Sequence, residues 1–343
     1  MLTRRALLIT ATALLALSLA APAIAQSDKT IPVVATFSIL GDMVKRIGGE
    51  YVAVTTLVGP DGDTHVYQPT PADARAVGEA QILVANGLQF EGWLDRLVDA
   101  SDFRGVRVVT TKGIKPIAFE EAGHDEHAME HGRDKHAKGD DHDKHAKEHG
   151  HDEGAKGDGH EGHHHGVFDP HAWQSLRHAT VYVDNITAAL AKADPRNAGA
   201  FHRNREAYVA EIEALDSDIR GIVAKLPAGS RTIVTSHDAF QYFGREYGLE
   251  FVAPQGLGTE SEASAKDVAR LVRFMRERGI RAVFVENIGD PRLLKRIADE
   301  TGAMVGGRLY PGALSGPDGP AATYLDMIRH NATTLAKALA PAS

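Results

Sequence analysis

Histidine is the residue type through which this sequence could do chemistry. The chain carries 18 histidines and no cysteine, so any metal it holds must be bound through nitrogen and oxygen, and imidazole suits zinc, copper and nickel. Twelve of the histidines fall between His124 and Gly166, a segment built almost wholly from His, Asp, Glu, Lys, Gly and Ala. It contains imperfect repeats such as Asp134-Lys135-His136-Ala137-Lys138 and Asp143-Lys144-His145-Ala146-Lys147. So little apolar surface cannot offset the entropy of ordering, and the tract is expected to be disordered without a ligand. Histidine this dense reads as an auxiliary, low-affinity metal collector, against the blander reading of a solvated charged insertion. Fixing ligands from a loose chain costs entropy for every residue ordered. A tight site should therefore come from histidines already held by folded elements.

Protease-like patterns occur inside the tract. His160-Glu161-Gly162-His163-His164 fits H-E-x-x-H, while His127 to His131 and His145 to His149 fit H-x-x-E-H. Zinc hydrolysis needs both histidines on one face of a rigid helix, with a glutamate beside the metal-bound water. These matches lie in a biased, partly glycine-rich stretch where composition alone produces them. They are read as decoys.

Six histidines lie outside the tract: His65, His171, His178, His202, His237 and His330. His65 closes Gly59-Pro60-Asp61-Gly62-Asp63-Thr64 after a strand ending near Val58, and His237 follows the strand Ile233 to Thr235. Ligands of open α/β sheets bind at the carboxyl ends of strands, so these two are well placed, one in each half of the chain. His171 stands in Phe168-Asp169-Pro170-His171-Ala172-Trp173. His178, His202 and His330 fall in helical patterns and are expected to have surface or packing roles. Taken singly, each of the first three would more often be structural than a ligand.

The elements that must position these residues alternate between strand and helix. Short apolar, β-branched runs cover Pro32 to Phe37, Val52 to Val58, Gln81 to Ala85 and Val106 to Thr110. They return at Arg231 to Thr235, Glu250 to Ala253, Arg281 to Glu286 and Ala303 to Gly306. Helical spacing separates them, with starts such as Thr70-Pro71 ahead of Ala72 to Ala80, an N-cap followed by proline at the first helical position. Such alternation argues for an α/β fold of two lobes, each a parallel sheet flanked by helices. Between them a long helix is expected over 194–226, starting at Asp194-Pro195. Its apolar rows are Phe201, Tyr208, Leu215 and Ile222, with Ile212, Ile219 and Leu226 beside them. The organisation expected is a signal peptide over 1–25, an N-terminal lobe over 26–193 carrying the insertion 124–166, the linking helix, and a C-terminal lobe over 227–343.

Export is read from the first residues. Arg4 and Arg5 precede an apolar run from Ala6 to Ala21, and Ala23-Ile24-Ala25 is a small-x-small cleavage pattern. The absence of cysteine removes disulfide staples and a lipidated cysteine alike. The net charge of −8 is concentrated in the tract, where twelve acidic and six basic residues leave −6. With no basic stripe and few aromatics, a nucleic-acid partner is not expected.

At the three loop histidines the sequence resembles a known family. Gly59 to Pro71 looks like the first metal motif of the cluster A-I solute-binding proteins, the zinc and manganese receptors of ABC importers. Asp169-Pro170-His171-Ala172-Trp173 resembles the second motif and Ser236 to Phe243 the third. Leu309-Tyr310 and Gly319 to Met327 are similar to the C-terminal block. The resemblance runs over essentially the whole chain after the signal. It implies two lobes joined by a long rigid helix, one metal in the cleft between them, and His65, His171 and His237 as its ligands. A histidine at the third position, where manganese receptors usually carry a carboxylate, favours Zn²⁺. The implied partners are Zn²⁺, an inner-membrane permease with its cytoplasmic ATPase, and a periplasmic zinc chaperone; the chain is expected to be a periplasmic monomer and no enzyme. The family's usual aspartate after Leu-Tyr is replaced by Gly312, which leaves the fourth ligand open among water, Asp63, Asp238, Glu286 and a tract histidine. Two other functions remain in view: a zinc buffer or chaperone without an importer, and a three-histidine zinc hydrolase.

Overall fold

The computed structural model describes residues 30–119 and 168–340; the expected signal peptide and the histidine tract lie outside them. The first lobe runs β1 (Ile31–Phe37), α1 (Ser38–Gly48), β2 (Val52–Val58), α2 (Pro71–Glu79), β3 (Ile82–Ala85), α3 (Leu94–Ala100) and β4 (Val106–Val109). Two long helices follow, α4 (Leu176–Ala193) and α5 (Ala198–Val223). The second lobe runs β5 (Thr232–Val234), α6 (Gln241–Tyr247), β6 (Glu250–Val252), α7 (Ala265–Arg278), β7 (Ala282–Glu286), α8 (Arg292–Thr301), β8 (Met304–Leu309) and α9 (Tyr324–Leu339). Its sheet order, β6-β5-β7-β8, repeats the β2-β1-β3-β4 order of the first, and all pairings are parallel. The expected pair of helix-flanked parallel sheets is therefore present.

Local chemistry accounts for the element ends. The Thr70 hydroxyl accepts from Asp73 N, and the Asp73 carboxylate accepts from Thr70 N at 2.7 Å, a reciprocal capping box with Pro71 at the first helical position. The long helix begins later than Asp194-Pro195. Asp194 caps the end of α4, and its carboxylate accepts from Arg196 N and Asn197 Nδ2, so the dipeptide makes the turn between α4 and α5.

Along α5, Phe201, Tyr208 and Leu215 are buried as the seven-residue row requires, but Ile222 is only half-buried and Val223 takes its place. A straight helix drifts about 20° per heptad, which turns the fourth member of a strict row off the buried face. The helix packs on α1 of the first lobe, on α9 and α6 of the second, and on α4. One apolar core runs from β1 through α4, α5 and α9 to Phe240 and Phe284 of the second lobe. A smaller cluster under α7 and α8 includes Leu271, Met275, Leu294 and Ile297 and covers the other face of the second sheet. No helix among the described residues is long and apolar enough to cross a membrane.

Candidate metal centre

Three loops at the carboxyl ends of the strands bring His65, His171 and His237 together. One ring nitrogen from each lies within 4.8 Å of the others, and the ring centroids are 5.5, 5.6 and 5.5 Å apart. His65 Nε2 and His171 Nε2 are 3.4 Å apart. Two nitrogens on a tetrahedral zinc with bonds of about 2.0–2.1 Å stand roughly 3.3–3.4 Å apart. His171 and His237 are fully buried, and His65 is half-buried.

Each buried imidazole is aimed by a carboxylate. Glu286, the last residue of β7, meets His237 Nδ1 with Oε2 at 2.6 Å, while its Oε1 accepts from Ser236 N at 2.9 Å and His237 N at 3.2 Å. Since β5 and β7 are neighbours in the sheet, the carboxylate stands beside the loop that carries His237. Asp169 does the same for its own loop: Oδ1 accepts from His171 N at 2.9 Å and lies 2.8 Å from His171 Nδ1. A carboxylate on Nδ1 holds the proton there and turns the Nε2 lone pair toward the centre. His237 Nε2 is buried without a hydrogen-bond partner among the described residues. An imidazole nitrogen in that state is costly unless something outside the protein uses it, and a cation fits its lone pair.

The surrounding frame is rigid and largely aromatic. Phe90 lies edge-on to His65 at 4.9 Å and His171 at 5.8 Å, and Trp173 lies 5.2 Å from His171. Asn86 Nδ2 donates to Pro170 O at 2.9 Å and Tyr242 Oη to Asp169 O at 2.9 Å, pinning the His171 loop from both lobes. Outside, His65 borders a polar groove of about 910 Å³ that also touches Tyr67, Phe90 and Glu260.

Electrostatics favour a cation. Burial opposes charge on His237, but the Glu286 carboxylate and its hydrogen bond outweigh it, so the pKa rises above its usual value. Burial pushes the Asp169 carboxyl up to about 7 and Asp238 up to about 6. Anionic groups held this far from water gain by sharing the pocket with positive charge.

The other histidines stand apart, as their helical patterns led one to expect. His178 lies in α4 against Tyr242, His202 is exposed on α5, and His330 in α9 meets Arg308 O at 3.0 Å and lies edge-on to Tyr310. Among the fourth-ligand candidates, both oxygens of Glu286 are engaged with the His237 loop. Asp63 is likewise engaged at both oxygens, and Asp238 Oδ1 accepts from Gln241 Nε2 at 2.7 Å. A tract histidine lies outside the described residues. At Gly312 a Cβ would sit 3.8 Å from Trp173 and 3.9 Å from Phe90 and Ile288, in ordinary contact with the aromatic wall of the site. The orienting roles of Asp169 and Glu286 escape a reading by ligand type. Their signals were present as an aspartate two residues before a histidine and a lone carboxylate ending the apolar strand Ala282 to Val285.

Two α/β lobes on a shared core, with convergent imidazoles where they meet, define a two-lobed metal-binding protein. Comparison with known proteins specifies the class. The family model described as zinc-uptake complex component A, periplasmic, matches residues 33–338. The chain is 31% identical to the iron-binding protein YfeA of Yersinia pestis over 90% of its length and 86% of that protein's. It is 31% identical to the manganese-binding lipoprotein MntA of Bacillus subtilis, covering 91% of each. The solved periplasmic zinc-binding protein TroA of Treponema pallidum superposes with a TM-score of 0.75 at 27% identity, covering 91% of this chain and 100% of that one. The chain belongs to this family, the extracytoplasmic metal-binding receptors of ABC transporters, which are not enzymes.

Proposed function

We propose that this chain is a periplasmic zinc receptor that holds Zn²⁺ through His65, His171 and His237 and delivers it to an inner-membrane permease driven by a cytoplasmic ATPase. The observation that carries the reading is the set of three imidazole nitrogens within 4.8 Å of one another, one of them buried and unpartnered. Relatives are named for zinc, manganese and iron, so the choice of metal rests on the donor set. Three neutral imidazoles suit zinc, whereas manganese prefers more oxygen ligands. No bond is made or broken in this role. The protein supplies oriented donors and an aromatic wall, and the groove beside His65 supplies the way in and out.

The rest of the sequence has a place in this account. Residues 1–25 act as a cleaved signal peptide, the lobes are 26–193 and 227–343 with the helix α5 (Ala198–Val223) between them, and the chain works as a monomer. The tract 124–166 gathers metal weakly, and a periplasmic chaperone is a source from which zinc is taken. Competitive titration with zinc and manganese tests the reading. The tight site should prefer zinc and should vanish in His65→Ala, His171→Ala and His237→Ala alike. Tighter manganese than zinc binding by the wild-type chain would refute the zinc assignment.

A further inference from the structure

The loop that carries His65 is tied to the opposite lobe by three hydrogen bonds. Asp61 N donates to Leu314 O at 2.8 Å, and Asp61 Oδ1 accepts from Asn287 Nδ2 at 2.9 Å. Two residues on, Asp63 Oδ2 accepts from Thr259 Oγ1 at 2.6 Å, while Asp63 Oδ1 accepts from His65 N at 3.0 Å. Thr259 stands in the segment between β6 and α7, and Asn287 directly follows Glu286 at the end of β7. Asp61 adopts a positive φ of 53°, a conformation a non-glycine residue holds only when its surroundings over-determine it. The short polar loop between β2 and His65 is thus spanned by bonds that cross the cleft.

From this geometry we infer that Asp63 and Thr259 form an interlobe clasp, a pair of positioning residues that set how fast the metal leaves. The chain of contacts is Thr259 hydroxyl, Asp63 carboxylate, His65 backbone. His171 and His237 are buried and aimed by carboxylates, whereas His65 is the half-buried member and borders the open groove. Departure of the ion therefore begins with His65. Its loop can swing into the groove only when its bonds to the second lobe part. Both oxygens of Asp63 serve this linkage, which gives the aspartate a role other than fourth ligand. The inference rests on His65 being a ligand, as proposed above.

The test compares Thr259→Val, which keeps the shape and removes the hydroxyl, with Thr259→Ser, which keeps the hydroxyl. Zinc-loaded full-length chain is mixed with excess chelator and release is followed by stopped flow, alongside melting of the metal-free proteins. A hydrogen bond to a carboxylate contributes enough for loss of the hydroxyl to speed release about tenfold. The serine variant should stay within about twofold of the wild type, and cooperative melting of each metal-free protein verifies that all three are folded. Release from Thr259→Val at the wild-type rate, or from both variants equally fast, would overturn the clasp. His65→Ala separates the two proposals: if it loses tight zinc while Thr259→Val releases normally, only the clasp fails. If it binds zinc like the wild type, the ligand assignment fails.

Discussion

Replacing Glu286 by glutamine leaves all three proposed histidine ligands in place, yet it should weaken the site markedly. The carboxylate accepts at both ends, from Ser236 N and His237 N at Oε1 and from His237 Nδ1 at Oε2. An amide can keep its oxygen on the two backbone N–H groups, but it then offers an NH₂ group to His237 Nδ1 across a buried 2.6 Å contact. Nδ1 must become an acceptor, which moves the imidazole proton to Nε2, the atom that faces the centre. The protonated Nε2 cannot bind a cation. The substitution also removes a buried negative charge from behind the ligand, which further weakens attraction of the ion. Loss of an orienting partner of this kind typically costs 10–100-fold in metal affinity, or about 1.4–2.8 kcal/mol. Competition against a chromophoric zinc chelator reads the change, with Glu286→Asp as a companion that keeps the charge and shortens the reach. Unchanged affinity in Glu286→Gln, with His65, His171 and His237 intact, would refute the argument that the tautomer of His237 is set from Glu286.

Other outcomes follow from the same geometry. The pKa of His237 is raised above the ordinary value of about 6.5, so its protonation stabilises the metal-free fold below that pH, and the gain is lost as pH rises through the raised value. Zinc binding near neutrality should therefore release protons, seen as a calorimetric enthalpy that changes with buffer ionisation heat, and affinity should fall as pH drops through that raised value; a buffer-independent enthalpy would contradict this. Gly312→Asp places a carboxylate against Trp173 and Phe90 with room for its Cβ. It should raise manganese affinity relative to zinc about tenfold, about 1.4 kcal/mol, whereas an unchanged ratio would mean that position 312 does not reach the ion. Leu215→Ala in α5, with Leu215 1% exposed, should lower unfolding free energy by about 2–5 kcal/mol in denaturant titrations. A loss under 1 kcal/mol would argue against α5 as the shared spine of the two lobes.

The fold was legible where periodicity and punctuation agreed. The run Val52 to Val58 is β2 to the residue, and Thr70-Pro71 starts α2 where an N-cap and proline should. Asp194-Pro195 misled because the same dipeptide that opens a helix also makes a turn, and here a helix already precedes it. β8 runs on to Leu309, past the glycines at 306 and 307 that read as a strand end, because pairing with Phe284, Val285 and Glu286 of β7 continues after a bulge. At the site, ligand type and loop position singled out His65, His171 and His237, and the resemblance implied that the three act together. The carboxylates were harder to assign. An acidic residue near three histidines reads equally as a ligand or as an orienting partner, and only distances to Nδ1 separate the two. The bonds from Thr259 and Asn287 to the His65 loop join residues 196 and 226 positions apart in the chain and carry no local signature at all.

Calorimetric zinc titration of two altered chains tests the central claim most directly. One lacks residues 124–166, and the other keeps them but carries alanine at His65, His171 and His237. The account predicts that the deleted chain loses weak sites and retains one tight zinc, while the triple variant retains weak sites and loses the tight one. A triple variant that still binds one zinc with wild-type affinity would contradict the account.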